Sequence, residues 1–451
     1  MHIHLLGIGG TFMAGLALLA RQLGHTVTGS DHAIYPPMSQ QLAAQQITYF
    51  EGYDAAHLSP APDCVIIGNA MTRGNPEVEE VLNRRLFYCS GPQWLFDHVL
   101  RDRWVLAVSG THGKTTTTSI LTWILHHAGL APGYLIGGIP ENFGVSADLG
   151  NSAFFVIEAD EYDSAFFDKR SKFLHYRPNT LIINNIEYDH ADIFKDLAAI
   201  QQQFYYLVRA LPSQGLIVHA QQSSIETVLQ RECWTPRETF GDSHAQWQAD
   251  TIEDNGCRFQ VKYNNKSVGD VNWSIFGQHN VNNALAAIAA ARHAGVPVAL
   301  ACEALATFQN VKRRLECRGI VQNIHVYDDF AHHPTAIAVT LAALRAQIGQ
   351  QRLIAVLEPR SNSMKQGVFR DSLAESLQLA DQVIVYQPPQ LSWSLAESLA
   401  RLPQVYLFQN TALLLNHLLS EVKPHDHVLI MSNGHFEQLH DRLLQGLKQQ
   451  A

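Results

Sequence analysis

Short apolar runs alternate along the chain with longer stretches in which apolar residues return every three or four positions, and Gly, Pro, Asn or Asp punctuates the changes. The runs at residues 3–6, 26–28, 64–67, 104–108, 154–157 and 181–183 are too short for helices and predict buried strands. Between them, the periodic stretches 13–23 and 119–127 and a helix opening at Asn75-Pro76-Glu77 predict covering helices. Strand-like stretches at 258–263 and 267–273 precede an alanine-rich helix ending near Gly295. The alternation resumes with strands at 324–327, 353–357, 382–386, 405–408 and 428–431, and a helix from Thr335. Such spacing predicts an α/β chain of mostly parallel sheets covered by helices.

At 451 residues the chain is several times a domain of ~100–150 residues. Three segments are expected, at 1–103, 104–311 and 312–451. A net charge of −9 argues against a nucleic-acid binder held by a broad basic field, and makes small anions the expected partners. The six cysteines are scattered without Cys-x-x-Cys spacing, so they are read as ordinary reduced thiols. The start lacks a basic leader, and no apolar run nears the ~20 residues of a membrane span, which predicts a cytoplasmic protein with no membrane contact.

Candidate chemistry lies at the strand ends. Gly110-Thr111-His112-Gly113-Lys114-Thr115-Thr116, between a strand and a helix, reads as a phosphate loop, although Val108 stands where a first glycine is expected. Lys114 would reach the β- and γ-phosphates and the Thr115 hydroxyl a metal ion. Two further strands end near Glu158 and His190, and with Thr115 these predict a Mg²⁺ site, with Mn²⁺ also compatible. Gly7-Ile8-Gly9-Gly10 opens a Rossmann-like turn, but Phe12 occupies the third glycine position. Asp31 sits where an acid binding ribose or base would. Asn280, Asn282 and Asn283 at a helix start are better explained as caps, base recognition being the competing reading. His332-His333 lacks a third ligand at metal-binding spacing, so a turn before Pro334 is expected.

Gly-Thr-His-Gly-Lys-Thr-Thr (110–116), Glu-Ala-Asp-Glu (158–161), Asn-Ile-Glu-Tyr-Asp-His (185–190), His-Asn-Val-Asn-Asn-Ala (279–284), Arg-Arg-Leu-Glu (313–316) and Asp-Asp-Phe-Ala-His-His-Pro (328–334) occur in this order. Together they resemble the Mur ligase family over nearly the whole chain. The resemblance implies three domains: a Rossmann-like UDP-binding domain, a central P-loop ATPase domain with a mostly parallel sheet, and a C-terminal Rossmann-like domain. It further implies an ATP-dependent ligase acting on UDP-N-acetylmuramate in cell-wall biogenesis. Two amine substrates occur in that branch, L-alanine and the murein tripeptide L-Ala-γ-D-Glu-meso-diaminopimelate. Residues 357–365, Leu-Glu-Pro-Arg-Ser-Asn-Ser-Met-Lys, are similar to the tripeptide-adding members, as are 35–38, 69–76, 90–94 and 166–172.

By the same resemblance, Gly9, Gly10, Asp31, Asn69 and Ala70 face the UDP-sugar. Gly110 to Thr116, Asn280, Asn283, Arg314 and Asp329 hold ATP. Lys114, Glu158, His190 and Arg314 serve the reaction, and Arg360, Ser361 and Asn362 meet the peptide. Two departures stand out: Gln201-Gln202-Gln203 where some relatives carry a carbamylated lysine, and His435 where a second glycine is expected after Gly434. The rival readings are the L-alanine ligase, a non-catalytic UDP-sugar or nucleotide sensor, and a nicotinamide dehydrogenase. Phe12 and the intact metal constellation count against the last two.

Overall fold

The computed structural model describes residues 1–389 and 391–450, and its helices pack on three large sheets, beside a two-stranded ribbon of Asp163–Ala165 and Asp168–Ser171. The first sheet is wholly parallel, in the spatial order Thr48–Glu51, Thr26–Asp31, His2–Leu6, Cys64–Ile67 and Tyr88–Ser90. The strand reversal beside His2–Leu6 opens a crevice at the Gly7 turn.

The second sheet has ten strands. Its parallel centre runs Leu216–Ala220, Thr180–Ile183, Trp104–Ser109, Phe154–Ala159 and Gly133–Leu135. One edge continues through Arg237–Gly241 and Trp247–Thr251 into an antiparallel hairpin of Arg258–Tyr263 and Lys266–Asn272. The apolar pattern marked that hairpin but not the three strands before it, whose runs are short and interrupted by His, Thr and Gln. The third sheet is parallel over Ile324–Asp329, His427–Met431, Leu353–Leu357, Gln382–Tyr386 and Val405–Phe408. Glu316–Val321 pairs antiparallel at its edge, and its half-exposed residues gave no apolar run to read. We draw the borders between the three units in the connections at 103/104 and 311/312.

The units are joined in two different ways. Helix Thr11–Gln22 buries Met13 to Ala20, and the apolar cluster it belongs to runs on without a break into Leu135, Ala147, Phe155 and Ile157 of the second unit. At Gly15 a side chain would meet Ala147 and Leu135, so the helix lies close against that unit. Gln41 and Ser146 exchange two hydrogen bonds across the same seam, of 2.8 and 2.7 Å. The third unit instead buries its apolar residues in clusters of its own and meets the second largely through polar contacts.

The first sheet carries one buried charge. Glu77, capped into its helix by Asn75, lies 3.2 Å from His4 Nε2 and 2.7 Å from His57 Nδ1, and accepts from the Ser30 hydroxyl and, at 3.1 Å, from the Asp54 N–H. Burial pushes its carboxyl up, but hydrogen bonds from His4, Ser30 and His57 outweigh that and hold it below the ordinary value. The stabilisation is therefore full above the unfolded carboxylate's ~4.3 and lost as pH falls through the lower folded value. Glu77→Ala is expected to cost about 3 kcal/mol, read as faster native-state hydrogen exchange in His2–Leu6 at neutral pH. Its difference from the parent should shrink on acidification. Unchanged protection at neutral pH would show that the network does not hold this sheet.

Candidate functional site

The phosphate loop joins strand Trp104–Ser109 to helix Lys114–His127. Val108 is buried inside that strand, so no glycine is needed there. The turn is made by Gly110 (φ 134°) and Gly113 (φ 77°), a region L side chains disfavour. At Gly113 a Cβ would also lie 2.8 Å from Asn283 Oδ1. The loop is pinned from the neighbouring strand end: the His112 N–H donates to Asn185 Oδ1 at 2.8 Å, and Asn184 donates to the Thr117 hydroxyl at 2.9 Å.

Lys114 is buried, with Nζ 2.6 Å from the Gly110 carbonyl, 3.6 Å from Asp160 and 3.7 Å from Glu161. Burial works against its charge, but Glu161, Asp160, Glu158 and Asp189 raise its pKa overall, so it stays an ammonium. Thr115 Oγ1 donates to Glu158 Oε1 at 3.1 Å and accepts from Arg314 Nη2 at 2.9 Å. Glu158 lies within its strand rather than beyond it, and its other oxygen accepts from the Gly137 N–H at 2.8 Å. A Cβ at residue 137 would stand 2.4 Å from that carboxylate and push it from this position.

His190, with left-handed φ 56°, points Nε2 at Glu161 Oε1, 3.2 Å away. Burial and Asp160 push the Glu158 carboxyl up. Glu161, despite its burial, is held at about 2 by Lys114 and His190, and Asp189, also against burial, at about 2 chiefly by His190 and His332. Burial lowers the His190 pKa, but the bond to Glu161 outweighs it and the net shift is upward. Glu161 Oε2 is buried with no hydrogen-bond donor. A hydroxyl, several carboxylates, an imidazole and this orphaned oxygen fit a divalent cation held by Thr115, Glu158 and His190. Glu161, whose Oε1 faces His190, lies beside them. Sequence reasoning passed over it because its neighbours in Glu-Ala-Asp-Glu look alike until the fold shows which one faces His190.

Above this nest lies a cavity of about 760 Å³ walled by all three units. Gly10, Asp31, Asn69 and Ala70 line it from the first, Lys114, Thr115, Glu158 and His190 from the second, and Arg314 and His332 from the third. Gly9 stands behind the wall, its N–H donating to Asp31 at 2.8 Å. Lys172, not anticipated, is buried in the wall with Nζ 3.8 Å from Asp160 and about 5 Å from the Phe12 ring, at 5.1 Å. Phe12 thus fills the third glycine position as a packing surface.

A second cavity, of about 370 Å³, shares His112, Gly113 and Arg314 with the first and is lined by Thr116, Asn280, Asn283 and Asp329. The capping reading of the asparagines fails: helix Gln278–His293 is capped by Gly277 without a side-chain bond. Asn280 instead donates to the Phe276 carbonyl at 2.9 Å and Asn283 to Asn280 at 3.2 Å, which orients both amides beside the cavity. Asp329 accepts the Leu315 and Ala331 N–H groups, each at 2.7 Å.

Arg360, Ser361 and Asn362 do not line either cavity. Arg360 is exposed against Gly434, where any side chain would strike its guanidinium, and Ser361 caps the short helix Asn362–Lys365. The loop is drawn in by Ser363, which donates to Asp189 at 2.7 Å and accepts the Ala191 N–H at 3.2 Å. His435 has an ordinary φ of −84° that needs no glycine, and its ring lies 5.5 Å from Tyr35 of the first unit. Gln201 and Gln203 make structural hydrogen bonds, to the Ser224 carbonyl and with the Ser171 hydroxyl.

Three family models match in succession: "Mur ligase family, catalytic domain" over 2–103, "Mur ligase middle domain" over 108–291, and "Mur ligase, glutamate ligase domain" over 313–434. The UDP-N-acetylmuramate–L-alanyl-γ-D-glutamyl-meso-2,6-diaminoheptandioate ligases of Escherichia coli K12 and Haemophilus influenzae are 55% and 54% identical to the chain, over 100% and 99% of it and 99% of each relative. A murein peptide ligase structure from Psychrobacter arcticus is 49% identical, with a TM-score of 0.78 over 99% of this chain and 98% of that one. The UDP-N-acetylmuramate-alanine ligase of Thermotoga maritima superposes at TM-score 0.85 over all of both chains with 26% identity. Backbone likeness extends to both kinds of relative, whereas sequence identity is higher to the murein peptide ligases. With all three units matched in order and full-length relatives above half identity, this chain belongs to the Mur ligase family.

Proposed function

We propose that the chain joins the lactyl carboxylate of UDP-N-acetylmuramate to the L-alanyl amine of L-Ala-γ-D-Glu-meso-diaminopimelate, at the expense of ATP, as a murein-recycling ligase. The observation that carries this reading is the three-sided cavity, in which a sugar-facing turn, a phosphate loop and an arginine of the third unit meet. The names borne by the relatives from E. coli and H. influenzae supply the substrates. The 357–365 loop favours tripeptide over L-alanine.

In the first step a carboxylate oxygen attacks the γ-phosphorus, the bond to the β-phosphate bridging oxygen breaks, and ADP leaves behind an acyl phosphate. In the second the amine attacks the acyl carbon, the C–O bond to phosphate breaks, and the amine loses a proton. Catalysis of such a transfer is mostly positioning and charge neutralisation. Lys114 supplies a fixed ammonium to the phosphates, and Arg314 brings a second cation once the third unit sits on the loop. Mg²⁺, held by Thr115, Glu158 and His190, would neutralise phosphate oxygens. Asn280, Asn283 and Asp329 border the smaller cavity, whose size and amides suit adenine and ribose. The third unit's cover keeps water from the acyl phosphate. Among the described residues no helix is long and apolar enough to cross a membrane. We place the protein in the cytoplasm, where both nucleotides are made.

Lys114→Ala should abolish ligation, a loss of about 3 kcal/mol or more, while calorimetric titration shows UDP-N-acetylmuramate still binding. Retained turnover, or lost sugar binding, would overturn the assignment. A metal prediction follows from the upward shifts of Glu158 and His190. Both must shed a proton to ligate a cation, so the Mg²⁺ concentration for half-maximal rate should fall as pH rises from acid toward neutral. Glu158→Gln and His190→Ala should each raise that concentration and flatten its pH dependence. If both variants titrate like the parent, the cation sits elsewhere. The peptide assignment is checked by kcat/KM for tripeptide and for L-alanine. The parent should prefer tripeptide, and Arg360→Lys should lower the tripeptide value roughly tenfold, as for loss of a charged hydrogen bond, with the ATP dependence unchanged. A parent that prefers L-alanine would transfer the chain to the alanine-adding branch.

A further inference from the structure

Of the His332-His333 pair, the fold brings His333 alone beside two further candidate ligands, His112 and Glu187. His333 caps helix Pro334–Ile348, and its Nδ1 lies 3.7 Å from Glu187 Oε2, the same oxygen that stands 3.3 Å from His112 Nε2. One ligand atom from each of the three residues lies within 4.8 Å of the others. Tetrahedral zinc, with Zn–N near 2.0–2.1 Å, has ligand-to-ligand edges of about 3.3 Å, so small side-chain rotations would close the set.

Two observations point to a ligand rather than to packing. His112 Nε2 is buried and satisfies no hydrogen bond, although a carboxylate oxygen stands beside it. Glu187 and His333 are also held by hydrogen bonds of the kind that orient metal ligands. Glu187 Oε2 accepts from the Thr335 hydroxyl at 2.7 Å, and the Glu187 N–H donates to the Thr111 hydroxyl at 2.9 Å. His333 Nε2 faces the Tyr188 carbonyl at 3.4 Å, which leaves the lone pair on Nδ1, where only a 3.2 Å bond from the Thr335 N–H competes.

We propose that His112, Glu187 and His333 form a binding site for a borderline transition-metal ion of the zinc class, with a fourth position open to solvent. Two imidazoles and one carboxylate favour such an ion over Mg²⁺. The site shares no residue with the Thr115, Glu158 and His190 set. Its ligands come from both sides of the polar seam: His112 from the phosphate loop, Glu187 from the loop after strand Thr180–Ile183, and His333 from the third unit. A bound ion would clamp the third unit onto the loop.

Cobalt(II) is the probe, added to full-length protein in excess Mg²⁺ so that the hard-ion site is filled. The expected result is one equivalent bound, with the visible absorption of a tetrahedral nitrogen and oxygen site, bleached by Zn²⁺. His333→Asn retains a helix-capping side chain, and Glu187→Gln retains the shape of the ligand. Each should weaken Co²⁺ binding about 100-fold or more, beyond what loss of a supporting partner costs, whereas His190→Ala should leave the absorption intact. Absence of the band in the parent, its persistence in His333→Asn, or its loss in His190→Ala would overturn the proposal.

Discussion

One threonine hydroxyl carries the junction on which the site depends. Thr115 Oγ1 donates a hydrogen bond to Glu158 and accepts one from Arg314, so the phosphate loop, an acidic strand and the third unit meet at a single atom. Arg314 reaches it because Arg313 and Leu315 on either side adopt left-handed backbone, at φ 62° and 49°. Non-glycine residues held there store strain of order 1–3 kcal/mol each. The Arg313 guanidinium on the Ser432 and Gly434 carbonyls, and Asp329 on the Leu315 N–H, hold the segment in that shape.

The charges around this junction balance locally. Glu158, Asp160, Glu161 and Asp189 face Lys114, Lys172, His190 and Arg314 in a largely buried space. None of these groups would be tolerated there alone, since an unpaired buried charge costs several kcal/mol. Assembled, they present fixed dipoles and charges that need little reorganisation when phosphate charge develops. The chain's net negative charge is thus no guide to the sign of its binding site.

Much of this was legible in the chain itself. The α/β class, the phosphate loop and the strands ending near Glu158 and His190 follow from runs and glycines that act locally. What escaped was set by tertiary contact. Glu161 and Lys172 gain meaning only when neighbouring strands bring His190 and Asp160 beside them. The asparagines looked like caps because helix starts usually need one, and Gly277 had already taken that place. Arg360 could be picked out by its place in the loop, but that Ser363, three residues on, ties the loop to Asp189 could not. The half-exposed edge strand Glu316–Val321 shows the same limit, since a strand without an apolar face leaves no period to read.

The two kinds of seam give the chain an uneven divisibility. Separating the first unit from the second would bare a continuous apolar layer that neither half could hide, so these two form a single inheritance. The third unit carries its own closed cores and touches its neighbours largely through side chains that water could satisfy equally well. A foreign domain with the same Arg314 and Ser363 contacts, and a residue to cover Phe276, could be spliced in at the 311/312 joint with little apolar surface laid bare. Diversification of the amine substrate, in nature or in the laboratory, has its cheapest route there.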